Sequence, residues 1–167
     1  MNKFVWALLA LSTAAMAEND RLNDHYQAPA SHSALQEAEL ALPAYPNTKQ
    51  ASDWVAVYTT KTALTAPSLQ WDSLALPGDG TVRYVLNIQP QSKKVDNLSV
   101  EALNCKDRTY KIYAFGNTFN QTWSANTQPQ WIEIYSIDAV RHQMRQLFCG
   151  EGLPKNLDEL KLRLSNQ

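Results

Sequence analysis

The side chains here with the strongest chemistry are few: Cys105 and Cys149, three histidines at His25, His32 and His142, and the carboxylates Glu101 and Glu133 in strand-like stretches. A cysteine nucleophile needs a thiolate-favouring site and an oriented base. His142 lies seven residues before Cys149, roughly two helical turns away, so on one helix the two side chains cannot share a hydrogen bond. A CxxC redox motif, a zinc-ligand cluster, the GxSxG elbow, the Walker A loop and the dinucleotide fingerprint are all missing from the sequence. No metal, cofactor or catalytic residue is therefore expected. Paired carboxylates that cut a glycosidic bond need no local signature, so Glu101 and Glu133 define an alternative, a cell-wall-directed hydrolase, provided both prove buried and facing. Solvated positions on sheet faces are the plainer reading.

The two cysteines read differently once the start of the chain is considered. MNKFVWALLALSTAAMA has a charged Lys3, an apolar run from Phe4 to about Leu11 and the small-residue ending Ala15-Met16-Ala17. That is the layout of a signal peptide, residues 1–17, cleaved after Ala17, and its apolar run falls well short of the roughly 20 residues that span a bilayer. Export through an oxidising compartment pairs an even number of thiols, so Cys105 and Cys149 are expected as a structural disulfide. Closing a loop of that length contributes on the order of 4 kcal/mol in the chain-entropy picture. The expected location is the periplasm, with no membrane span after cleavage, and the alternating segments are too few for an outer-membrane barrel.

Losing Lys3 moves the formal charge from −1 to −2, and no basic block is present, which argues against nucleic acid or an anionic membrane as the main partner. The remaining chain has the length of one ordinary domain.

The elements that must hold these residues follow from hydrophobic period. Residues 18–41 form a polar lead-in, with a short helix expected over HSALQEAELAL until Pro43 and Pro46 stop it. WVAVYT from Trp54 reads as a strand, Trp71–Leu76 as a weaker one, and PGDG as a reversal in which Gly78 and Gly80 permit positive φ. TVRYVLNI places Val82, Tyr84, Leu86 and Ile88 on one face and Thr81, Arg83 and Asn87 on the other; Val85 breaks the pattern and implies partial cover on the second face. NLSVEALNC and YKIYAFG make a hairpin around KDRT, with Cys105 just before the turn and with Lys111, Tyr113 and Phe115 on one face.

Gly116–Pro129 reads as a loop carrying Trp123, and WIEIY as a short strand. From a cap at Ser136, the stripe Ile137, Val140, Met144, Leu147, Phe148 marks a helix that ends near Gly150. Asn156 with Glu159 resembles a capping box for a terminal helix of Leu157, Leu160 and Leu164, expected on the outside of the domain. Strands in the middle and helices at the end make the class α+β, a mainly antiparallel sheet with a helix packed on it.

In order, LPAYP, DGTVRYVLNI, SVEALNC, TYKIYAFG, a Trp-bearing loop and LFC on a helix resemble the CNP1-like family of exported proteins from Gram-negative bacteria, over about Leu42 to Gly150. The resemblance implies one exported α+β domain, residues 42–167, with its cysteines paired, and it carries over no catalytic residue. What is left for function is aromatic. Arg83, Tyr113, Phe115 and Trp123 form a candidate binding surface if exposed together; burial as core is the alternative. The sequence thus reads as a non-catalytic periplasmic binding or envelope-accessory domain, whose partner is an envelope protein or a cell-wall ligand.

Overall fold

The reversal expected at PGDG is set by Gly78 and Gly80, whose φ angles of 85° and 84° lie where only glycine is unstrained, and Ala75 and Arg83 exchange backbone hydrogen bonds of 2.9 Å across it. This computed structural model describes residues 37–39, 41–59, 64–92 and 95–167. The expected signal peptide, His25 and His32 lie outside them. The described residues fall in one compact unit, Leu35–Gln167.

Seven strands form the sheet of the described residues: β1 (Trp54–Ala56), β2 (Thr65–Gln70), β3 (Thr81–Pro90), β4 (Leu98–Asn104), β5 (Thr109–Asn117), β6 (Thr122–Ala125) and β7 (Ile132–Glu133). The order is β1-β2-β3-β4-β5-β6, every pairing is antiparallel, and β7 pairs with the other end of β5. Two helices follow, α1 (Ala139–Cys149) and α2 (Leu157–Ser165).

Several elements differ from expectation, each for a local reason. The weak strand expected at Trp71–Leu76 is a single 3-10 turn at Trp71–Ser73, and the pairing strand is TAPSLQ before it. Pro67 is tolerated there because its carbonyl accepts from Val57 N (2.9 Å) just past the end of β1, so its missing N–H faces a strand that has already stopped. The loop around Trp123 contains β6, turned back onto β5 through Gln121 at a φ of 53°. Of the helix expected over residues 32–42, the described residues Glu37–Glu39, Ala41 and Leu42 are not helical. The Glu37 carboxylate and the Ala38 backbone are instead bonded by side chains of the sheet, of the turn before β3 and of Trp131.

At the start of α1 the cap is Asp138 rather than Ser136, its carboxylate accepting from Arg141 N at 3.1 Å, and Ile137 is left outside the helix and exposed. Asn156 caps α2 as expected, accepting from Glu159 N at 2.9 Å.

One apolar cluster joins Leu69, Val82, Tyr84, Leu86 and Leu103 of the sheet with Met144 and Phe148 of α1 and with Leu160 and Leu164 of α2. The rings of Tyr84 and Phe148 are 5.5 Å apart. The expectation that α2 lies outside is corrected here, since Leu160 and Leu164 are fully buried; two leucines contribute about 1.5–3 kcal/mol each, comparable to the crosslink. That crosslink joins Cys105 after β4 to Cys149 at the end of α1, with Cα atoms 5.4 Å apart.

A second, smaller cluster occupies the opposite face: Val85, Leu98, Val100 and Ala114, with Tyr45, Trp54 and Trp123 packed against them. Val85 therefore has an apolar environment of its own. Between Val100 and Glu101 the register against β5 shifts by one residue, leaving Tyr113 unopposed. Such a bulge reverses the alternation beyond it. Ala114 consequently joins Val100, while Phe115 pairs with Ser99 on the helix side, away from Lys111 and Tyr113.

Gly116 shows how tightly the second face is packed: a Cβ there would meet Leu98 Cβ at 2.6 Å and the Tyr45 hydroxyl at 3.2 Å. Because the Leu98 Cβ is fixed by its own backbone, Gly116→Ala is expected to cost about 1–3 kcal/mol in urea unfolding; an unchanged midpoint would show that the two strands move apart at no cost.

Candidate functional site

Two networks of charge lie back to back across strands β3, β4 and β5. On the helix side, Glu101 is fully buried. One of its oxygens accepts from Ser99 Oγ (2.6 Å) and Arg141 Nη2 (2.6 Å), the other from Tyr84 Oη (3.2 Å) and Arg141 Nε (2.9 Å). Arg141 also donates to Asp138 (2.9 Å) and lies 4.1 Å above the Tyr110 ring. Burial works against the Arg141 charge, but the bond and field of Glu101 outweigh it and hold its pKa above the usual value.

Burial, with Glu101 adjacent, raises the Tyr84 phenol well above the ordinary tyrosine value. With four donors on two oxygens, the Glu101 carboxylate has no lone pair directed at a substrate. Its sequence-stretch partner Glu133 is exposed on β7, so the structure does not make a buried, facing carboxylate pair of the two.

On the opposite face the charges are met by the chain segment before β1. Glu37 accepts hydrogen bonds from Lys111 Nζ, from Tyr113 Oη (2.9 Å) and from Trp131 Nε1 (3.0 Å). The Lys111 ammonium sits 4.9 Å from the Trp131 ring centre and 5.7 Å from that of Tyr113, and the Arg83 guanidinium also stands 5.7 Å from Tyr113. One residue further on, the backbone of Ala38 is held at both ends, its carbonyl by Arg83 Nη2 (2.8 Å) and its N–H by Asp79 (3.2 Å). Asp79 in turn pairs with Arg83 (2.9 Å) and accepts from Thr81. Farther along, Trp123 Nε1 donates to the Pro43 carbonyl (2.8 Å), and its ring lies 5.0 Å from that of Tyr45.

Three of the four residues singled out in the sequence, Arg83, Tyr113 and Trp123, are thus brought to one face. They contact a strap of the same chain, residues 37–39 and 41–47. Arg83 is buried rather than open to solvent. Phe115 is half exposed on the other face, as the bulge requires. His142 lies on α1, its N–H bonded to the Asp138 carbonyl (2.9 Å).

Sequence reasoning missed Glu37, Asp79, Lys111, Trp131 and Arg141 as members of these networks. One signal for them existed: Arg83 and Lys111 occupy sheet positions on either side of Ala102, and two cations flanking a small apolar residue require carboxylates from outside the strands.

The described residues thus form a mainly antiparallel sheet with a disulfide-linked helix against one face and a strap against the other, an α+β arrangement. The chain belongs to the CNP1-like family, whose model matches residues 30–164. It is 27% identical over 177 residues to the Cryptic neisserial protein 1 of Neisseria gonorrhoeae, spanning 95% of this chain and 86% of that protein. No solved structure matches. The family match begins before the strap and ends within α2, so it is wider than the stretch from Leu42 to Gly150 that carries the resemblance in sequence.

Among the described residues no helix is long and apolar enough to cross a membrane.

Removing one partner from the buried network leaves the other unpaired, so Arg141→Met is expected to cost about 3–5 kcal/mol in urea unfolding, and a loss below 1 kcal/mol would show that Glu101 is accommodated without its arginine. The strap has an acid dependence of definite sign. Burial opposes the charge on Glu37 and Asp79, yet hydrogen bonds and neighbouring cations (Lys111 and Tyr113 at Glu37; Thr81, Ala38 N–H and Arg83 at Asp79) hold both pKa values below the ordinary range. Their contribution is therefore complete above the unfolded carboxylate values of about 3.9–4.3 and is lost as pH falls through the lower folded values. Tryptophan fluorescence from Trp123 and Trp131 should report strap release below that range, with Glu37→Gln removing the Glu37 share of the transition; a Glu37→Gln profile identical to wild type would refute the assignment.

Proposed function

We propose that the protein is exported to the periplasm after cleavage behind Ala17 and acts there as a non-catalytic, envelope-accessory binding domain, its sheet roofed by α1 and α2 and its opposite face gripping an extended polypeptide. The observation that carries this reading is the way that face holds residues 37–47. Arg83 and Asp79 bracket the backbone of Ala38, and the Trp123 indole takes the Pro43 carbonyl. Main-chain groups are common to every polypeptide, so these contacts supply affinity for an extended chain as such. Aromatic side chains and an arginine at the grip are the residue types that carry binding energy at interfaces. The saturated carboxylate of Glu101 supports assigning it to the scaffold. A disulfide between Cys105 and Cys149 accords with an oxidising compartment.

A photo-crosslinking side chain placed at position 123, and separately at 113, tests this in intact cells. The osmotic-shock fraction should contain the protein with a mass beginning at Glu18, joined to a second envelope polypeptide on irradiation. Recovery of the protein only in the cytoplasm, or of no intermolecular adduct from either position, would overturn the reading.

A further inference from the structure

The strap is a poor fit to the face it covers. Ala38, Glu39, Ala41 and Leu42 remain exposed, and a cavity of about 260 Å³ is lined by strap residues Glu39, Ala41 and Pro43, by the loop of residues 72–77 before the reversal, and by Arg83 and Val100 of the sheet. Arg83 lines this cavity, and its Nε–H is buried without a hydrogen-bond partner, an unfavourable state for a donor of a charged group. Void and orphaned donor coincide under a segment of small side chains. At one end of the same strap, three donors of different kinds, an ammonium, a phenol and an indole, converge on the single carboxylate of Glu37. That carboxylate side chain keeps 24% of its surface exposed, whereas that of Glu101 keeps none.

We propose that Lys111, Tyr113 and Trp131 form a carboxylate subsite for an acidic residue of an extended partner peptide, and that residues 37–47 occupy it as a resident competitor. The inference rests on the binding reading above and adds the side-chain selectivity. The partner carries Glu or Asp where the strap carries Glu37, and a bulkier apolar side chain where the strap has Ala41, which reaches into the cavity. Occupancy by the strap lowers the apparent affinity for that partner by the fraction of molecules whose face is free, so loss of Glu37 from the chain exposes the subsite to an outside peptide. An acidic group is favoured over its amide because only the charged form pairs with Lys111 while accepting from Tyr113 and Trp131.

The test uses the full disulfide-bonded chain and a labelled synthetic peptide, LQEAELALPAYPN, corresponding to residues 35–47. Fluorescence anisotropy should give an affinity about tenfold tighter for Glu37→Ala than for wild type. On that variant, a peptide with glutamine at the Glu37 position should bind about tenfold more weakly, and one with leucine at the Ala41 position more tightly. Near-UV circular dichroism checks the variant's packing; if it is lost, wild-type protein gives the same answer through hydrogen exchange at the Ala38 amide, which the acidic peptide should deprotect and the glutamine peptide should not. Equal binding of glutamate and glutamine peptides overturns the carboxylate subsite while leaving extended-chain binding standing. No binding of any peptide, with no change in exchange at Ala38, overturns both.

Discussion

A charge removed from water must be paired, and in this protein the central strands bury charges that they cannot pair among themselves. Glu101 on one face and Arg83 and Lys111 on the other are fixed by the β3–β4–β5 register. Desolvation would make each of them costly alone. The partners come from outside: Arg141 from α1 for Glu101, and Glu37 from the strap for Lys111, while Asp79 from the β3 turn serves Arg83. Hydrophobic burial drives the helices onto the sheet, but it is non-directional. The ion pairs give each cover a register, because a helix shifted by one residue would separate Arg141 from Glu101.

The bulge opposite Val100 and Glu101 lets one strand pair serve both faces. Without it, strict alternation would keep Phe115 on the side of Lys111 and Tyr113 and send Ala114 to the other. With it, Tyr113 and Ala114 both serve the strap face, where a phenol is needed for Glu37 and a small side chain for packing against Val100. Gly116 continues the same logic one pair later, its missing side chain admitting Leu98 and Tyr45. The aromatic cluster of Tyr45 and Trp123 forms there because backbone and ring approach that closely.

The strands around Val82–Ile88 and Leu98–Cys105, the reversal at Gly78–Gly80, the Cys105–Cys149 pairing and the end of α1 were legible in sequence because each is dictated locally or by parity. Period two reveals a strand, positive φ selects glycine, and two thiols leave no alternative pairing. What was not legible depends on tertiary partners. The stretch from His32 to Leu42 has helical spacing, yet its described residues are not helical, and Glu37 and Ala38 are bonded by distant parts of the chain that local spacing does not reveal. A bulge has no fixed residue signature in YKIYAFG, so the face of Phe115 was beyond reach. Arg83, Tyr113 and Trp123 lie on one face, and the cover over them comes from a segment too polar to be read as core.

The two ionic networks share a design and differ in permanence. Glu101 is enclosed by a helix whose far end is covalently tied to the sheet and whose apolar side chains share the main core with α2, so releasing Arg141 requires opening that core. Glu37 is carried on a segment whose attachment is mostly polar, through its carboxylate, the N–H and C=O of Ala38 and the carbonyls of Pro43 and Asn47, with apolar contact at Tyr45. Polar contacts to exposed segments contribute little net free energy, since water offers nearly equal bonds. Local opening of the strap therefore needs only a fraction of the global unfolding free energy. The disulfide adds to this asymmetry: it ties the far end of α1 covalently to the end of β4, whereas the strap's described attachments are all non-covalent.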